Sequence, residues 1–218
     1  QGIIYALSRF AIEMSDQIGR TRGSSEVDKD LDKAAGLLKY AGNVWVFDLS
    51  VSLAPTAPSD SQYRAARKNL LVYNERLAKG EAVFDPRADN LETTLERIAA
   101  DLGSASAVID THIRESSGAV FDFKADDIYY RNKGRLYAYY HILNALKDDY
   151  KNVIKDKDVE SAWDQMLLSL RSAAAAQPLV VVNGDPDSIW RPSHLTSQGF
   201  YLLRARTQIK EVANILLK

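Results

Sequence analysis

The sequence predicts an all-α fold, a helical bundle of about seven helices with two short extended segments. Two observations carry that prediction. Apolar residues recur at alternating spacings of three and four in five separate stretches, the period of helices with a buried stripe. Residues of β type gather only twice, as VWVF at 44–47 and LVVV at 179–182, too little for an independent sheet.

The first helix is expected over 2–18, with Ile4, Leu7, Ala11, Met14 and Ile18 on one face. Gly19 and Gly23 offer positive φ at its C-terminus, and residues 20–25 read as a connection. Leu31, Ala34, Leu38 and Ala41 define a second helix over 28–41, stopped by Gly42-Asn43. The VWVF run reads as an extended segment laid over the helices, with Trp45 or Phe47 in a groove. Pro55 and Pro58 keep the following loop extended. Ser59-Asp60-Ser61-Gln62 has the form of a capping box. It opens a helix that buries Tyr63, Ala66, Leu70, Tyr73 and Leu77 and stops at Gly80.

Asp89-Asn90-Leu91-Glu92 opens the most regular helix. Leu91, Leu95, Ile98, Leu102, Ala105, Ile109 and His112 alternate by four and three, the seam of a left-handed bundle or coiled coil. Small residues near Gly103 allow a neighbour to approach closely. After a loop at 116–123 comes a helix over 126–154, the expected centre of the fold, with six of the chain's eleven tyrosines. Ile128, Tyr139, Ile142, Leu146 and Val153 form one stripe on it; Tyr129, Leu136, Tyr140 and Leu143 form another. Asp158 reads as the cap of the next helix, which turns Val159, Trp163, Met166, Leu170 and Ala173 inward and runs to Pro178. The LVVV run follows, then the turn Asn183-Gly184-Asp185-Pro186. Pairing of the two β-type runs is the strand pairing the sequence offers. Ser193 caps a last helix burying Leu195, Gly199, Leu202, Ile209, Val212 and Leu216. With no linker, repeat or low-complexity tract, residues 1–218 read as one helical domain.

Net charge is −1, from 28 basic and 29 acidic residues. That balance gives no electrostatic reason to expect nucleic acid as partner. Cysteine is absent, which removes disulfides, zinc–thiolate sites and thiol nucleophiles from consideration. No stretch reaches the roughly 18 apolar residues of a membrane span. The chain opens on Gln1 already in helical register, so it reads as part of something longer, with any anchor or targeting peptide upstream.

The sequence carries no recognisable catalytic motif, and neither a cofactor nor a metal site is expected. The residues three before His112, His141 and His194 are Ile109, Ala138 and Arg191, so the Glu-x-x-His pair of di-iron bundles is missing. There is no HExxH, phosphate-cradling glycine loop, GxSxG elbow or Ser-x-x-Lys pair. Asn183 to Ser188 shares acidic spacing with a calcium loop but lacks its glycine and distal glutamate, and a plain turn is the better reading. His141 stands among Tyr137, Tyr139 and Tyr140. It reads as a general base with partners or, more simply, as a hydrogen-bonded core histidine. His112 continues the heptad seam, and His194 reads as a helix-end residue. The tyrosines of 126–154 serve either as core packing, the preferred reading, or as the wall of an amphipathic pocket or interface. Tyr130, Tyr137 and His141, at spacings of seven and four, are the candidate ligand or interface row, expected to border one cavity if a pocket exists.

The order of elements resembles a bacterial family, domain of unknown function 2333. The residues that carry the likeness are Ser61-Gln62-Tyr63-Arg64, Arg87-Ala88-Asp89-Asn90-Leu91 with Leu102-Gly103-Ser104, the stretch 126–148, and Val182-Asn183-Gly184, where the family pattern has leucine in place of Val182. It covers most of the chain from about residue 44. The resemblance implies a basic N-terminal tail, one membrane helix and a helical domain beyond it, facing the periplasm from the bacterial inner membrane. It implies no activity and transfers no site residues. Two functions of different class follow. One is a non-catalytic, membrane-tethered interaction or scaffold domain with an envelope or membrane protein partner, to which the heptad seam adds a route to homo-oligomers. The other is a small-molecule sensor with a Tyr/His-lined pocket between helices.

Overall fold

The structure is a computed structural model and describes residues 1–21, 27–46, 56–116, 122–186 and 189–218. Among them are eight helices: α1 (Gly2–Thr21), α2 (Lys29–Leu38), α3 (Ser59–Ala78), α4 (Ala88–Ser116), α5 (Phe123–Asp149), α6 (Lys151–Asp156), α7 (Glu160–Ala175) and α8 (His194–Leu216). No strand occurs among the described residues, and the fold is an all-α bundle. None of these helices is long and apolar enough to cross a membrane. By its contacts the chain divides into two compact units, Ile3–Asp85 with Gln1 and Pro86–Lys218 with Gly2.

In the first unit, Ala11, Ala35, Leu38 and Ala66 form one core cluster, with Ile4, Leu7 and Tyr63 packed on it. Met14, Ile18, Leu31 and Tyr73 form a second, closed by Leu70, Leu77 and Phe84. The three stripes seen in the sequence are thus the three faces that meet. Asp28 fixes the start of α2: its Oδ1 accepts the N–H groups of Asp30 and Leu31 at 3.1 and 3.3 Å. Arg76 of α3 binds both oxygens of the same carboxylate at 2.6 and 2.8 Å. Burial by itself would raise the Asp28 carboxyl, but the Arg76 hydrogen bonds and the two capping N–H groups together hold it below the usual range.

Several expectations fail in this unit: α1 runs through Gly19 to Thr21, and α2 ends at Leu38, leaving Ala41 exposed beyond it. Ser59 forms no capping box, because the N-cap of α3 is Pro58. The Ser59 hydroxyl instead donates to the Ala41 carbonyl at 2.6 Å and accepts the Val44 N–H at 3.0 Å, since a chain leaving α2 needs those backbone groups satisfied. Trp45 plugs no groove; it is 74% exposed, and Phe47 lies outside the described residues. The stop at Gly80 does hold. Gly80 has φ +74°, with Glu81 N–H bonded to Arg76 O and Gly80 N–H to Leu77 O, the Schellman pattern.

In the second unit every residue of the heptad seam, from Leu91 to His112, is buried. That seam packs on α8, which also lies against α7. The centre of this unit is therefore α8 rather than the tyrosine-rich helix. Small residues explain the difference: Gly199 brings its backbone close to Ile109, and Gly103 leaves room for the Arg206 guanidinium. Bulky tyrosines hold α5 further off, mainly against α7. Its stripes are inward nonetheless, with Ile128, Tyr129, Leu136, Tyr139, Ile142, Leu143 and Leu146 buried. The Tyr139 hydroxyl donates to Asp101 Oδ2 of α4 at 2.7 Å.

The expected single helix over 126–154 has a joint at Tyr150, whose φ of −103° and ψ of 19° depart from helical values. Backbone bonds from Tyr150 N–H to Leu146 O and from Ile154 N–H to Tyr150 O span it. Asp158 caps nothing. It sits in the left-handed region at φ 52°, where Asp158 N–H bonds Lys155 O and Val159 N–H bonds Ile154 O, so it stops α6 instead of starting α7. The LVVV run is not a strand either. Its neighbours are local: an isolated antiparallel bridge joins Asn183 to Ser193, and His194 N–H bonds Val182 O at 2.9 Å.

Candidate functional site

The segment from α7 to α8 leaves the bundle at Ala176 and returns at Ser193, and a neck ties its residues 182–184 to residues 192–194. Gly184 N–H donates to Pro192 O at 3.2 Å. A Cβ on Gly184 would sit 2.4 Å from the Arg191 carbonyl oxygen, so only glycine lets the two chain segments approach so closely. Ser193 caps α8, accepting the Thr196 N–H. Val182 N–H donates to His194 Nδ1 at 2.8 Å. A ring nitrogen that accepts carries no proton, so in the neutral imidazole the proton is on Nε2.

On one side of this neck lies a buried polar node. Asp122 is the N-cap of α5, its Oδ1 accepting the Ala125 N–H at 3.1 Å. The same carboxylate meets His112 Nε2 of α4 at 2.8 Å and accepts Asn183 Nδ2 of the neck at 3.0 Å. One side chain therefore joins three elements. Burial would raise the Asp122 carboxyl, but the Asn183, His112 and Ala125 hydrogen bonds outweigh it and hold the group below its usual range. His112 also lines a cleft of about 270 Å³, with Thr111, Glu115, Lys124 and Ile128. Asp122→Ala is expected to destabilise this unit by about 2–3 kcal/mol, because the cap is lost and two buried partners are orphaned. A urea titration followed by circular dichroism reads it. Asp122→Asn, which keeps an acceptor for the cap, should lose less.

On the other side, α5, the end of α7 and the start of α8 enclose a second cleft of about 280 Å³. Its lining includes Tyr129, Pro178, His194, Ser197, Gln198 and Tyr201. Gln198 is buried, and its Nε2 donates to the Tyr129 carbonyl at 2.9 Å. That bond fixes the amide orientation, and leaves Oε1 buried with no hydrogen-bond partner among the described residues. Tyr129 packs edge-on to His194 with ring centroids 6.4 Å apart. Burial, then neighbouring Tyr130, raises the Tyr129 phenol above its usual value, so it stays protonated at cellular pH.

The candidate row from the sequence lies elsewhere. Tyr130, Tyr137 and His141 are all exposed, and none of them lines either cleft. Tyr130 donates its hydroxyl to Pro178 O at 2.9 Å. Tyr137 and His141 stand edge-to-face with centroids 4.4 Å apart. His141 is thus not a core histidine; its position on α5 is on the outward side, one residue before buried Ile142. Sequence reasoning missed Asp122, Asn183 and Gln198. Asp122 was legible as an Asp three residues before a buried alanine, the form of an N-cap; Gln198 gave no signal.

The chain belongs to the bacterial family described as "uncharacterized protein conserved in bacteria", domain of unknown function 2333, whose model matches residues 1–120 and 115–218. No curated protein and no solved structure matches it.

Proposed function

We propose, from that membership, that the chain is a non-catalytic interaction domain of the bacterial cell envelope. In this reading it is tethered to the inner membrane by an upstream anchor and faces the periplasm, the topology its family resemblance implies. The observation that carries the interaction role is a set of exposed apolar residues on the α7–α8 segment, two before its neck and two beyond it. Leu179, Ile189 and Trp190 are each more than 90% exposed, and Val180 is 66% exposed. Single exposed apolar residues are ordinary, but four large ones on one short segment, with Ile189 and Trp190 beyond its pinned neck, suit burial against a partner. Tryptophan is also the side chain most enriched in interface anchors. The experiment is photo-crosslinking in cells from a probe at Trp190, with a probe at exposed Glu211 as control. One envelope protein recovered from Trp190 alone supports the reading. Equal recovery from both positions, or fractionation of the native protein with the cytosol, refutes it.

A second reading is favoured by the Gln198 cleft. There the chain is a sensor whose Tyr/His-lined pocket uses Tyr129, His194 and Tyr201 rather than the outward row of α5.

A further inference from the structure

Asn183-Gly184 is the only Asn-Gly pair in the sequence, and it stands in the neck. In an exposed chain this pair is chemically unstable. The backbone nitrogen of the following residue attacks the asparagine Cγ, and glycine puts no side chain in its way. A new N–Cγ bond closes a succinimide ring while the Cγ–Nδ2 bond breaks and ammonia leaves. Water then opens the ring at either carbonyl and leaves aspartate or isoaspartate. In balance, a water is consumed and an ammonia released.

The closed neck opposes every step of this reaction. Gly184 N–H, the nucleophile, is held by Pro192 O at 3.2 Å. Asn183 Nδ2, the leaving group, donates to Asp122 Oδ2 at 3.0 Å. Asn183 Oδ1 has no hydrogen-bond partner among the described residues, so no donor polarises the carbonyl that is attacked. The residue is only 2% exposed, which keeps out the water that proton removal and ring opening need. Attack requires the side chain to turn off Asp122 and Gly184 N–H to leave Pro192, and opening of the neck does both.

Neither product restores the closed neck. Aspartate at 183 replaces the Nδ2 donor with a carboxylate oxygen facing Asp122, whose Oδ2 already engages His112 Nε2 at 2.8 Å. Two carboxylates in one buried site repel each other. Isoaspartate routes the backbone through the former side chain and adds a methylene before Gly184. That displaces Gly184 N–H from Pro192 O and spoils the close approach to Arg191.

We propose that Asn183 is a deamidation site gated by the neck: protected while the neck is closed, converted when it opens, and by its conversion barring reclosure. Ile189 and Trp190, beyond the neck, then lose the support at their base. This goes beyond both functional readings and depends on neither.

The test follows conversion of the whole wild-type chain at mildly alkaline pH, folded and in guanidinium chloride, by mass spectrometry of the peptide that carries Asn183. Hydrogen exchange at Gly184 is measured on the same folded protein. Conversion should be slower in the folded chain by at least about a hundredfold, and by a factor within about threefold of the Gly184 protection factor, since one opening frees the same nitrogen for both. Conversion of the folded chain at the unfolded rate overturns the gate, as does a retardation unrelated to Gly184 protection. Asn183→Asp tests the consequence. Exchange at Val182, Gly184 and His194 should quicken by at least about tenfold while helical circular dichroism is kept. Unchanged protection at these amides overturns the proposal, and so does loss of helix throughout the unit, which would make Asn183 a folding residue rather than a gated site.

Discussion

Trp163→Ala is expected to lower the stability of the 86–218 unit by about 3–5 kcal/mol, the largest effect of any single side chain in it. Trp163 is the largest side chain with no exposure at all. It lies on α7, in the stripe that also buries Val159, Met166, Leu170 and Ala173. Its indole Nε1 has no hydrogen-bond partner among the described residues, so packing alone holds it. Removing the ring leaves a cavity between elements that are too well braced to collapse into it. Trp163→Phe keeps most of the volume and should lose less than half as much. Urea unfolding monitored by circular dichroism reads both. The wild type carries its own indicator, because Trp45 and Trp190 are exposed. The blue-shifted part of the emission should belong to Trp163 and vanish with it.

Asp28→Ala is expected to cost the first unit about 2–4 kcal/mol. One carboxylate there serves two purposes, as N-cap of α2 and as the bidentate partner of Arg76. Arg76→Ala should also destabilise, and the double variant should be little worse than the singles, since both remove the same pairing. The acid response has a definite sign. The folded Asp28 carboxyl titrates below its unfolded value, so its contribution is complete above about pH 4. It is lost as pH falls through the lower folded value. In Arg76→Ala the main opposing hydrogen bonds are gone and burial dominates, so the fall in stability on acidification should flatten. Urea midpoints between pH 5 and pH 2.5 distinguish the two.

What the sequence made legible was the buried stripes. The seam from Leu91 to His112, the inward faces of α7 and α8, and the paired stripes of α5 apart from half-buried Tyr140 are where periodicity put them, because burial imposes the helical period directly on residue type. Helix ends were harder. Ser59 and Asp158 have the form of caps, yet one satisfies Ala41 and Val44 and the other stops α6. A cap motif states what a side chain can bond locally, and tertiary neighbours decide which bond it makes. The polar node and the cleft were not legible for the same reason. Asp122, His112 and Asn183 meet across separations of 10 and 61 residues, and no local pattern reports such a meeting. Tyr130, Tyr137 and His141 do share a spacing, but periodicity gives the face of a helix and not what stands opposite it. That face of α5 is open, while Tyr129, one residue away, turns to the cleft.

Both functional readings depend on the α7–α8 segment being held at its neck, as a platform for the apolar tip and as a wall of the cleft. Amide hydrogen exchange at Val182, Gly184 and His194 measures this directly, since each N–H is bonded across or beside the neck. The account predicts that these three exchange slowly, with protection falling only when α8 itself opens. Exchange at the rate of an unstructured peptide, while the amides of α8 remain protected, would contradict it.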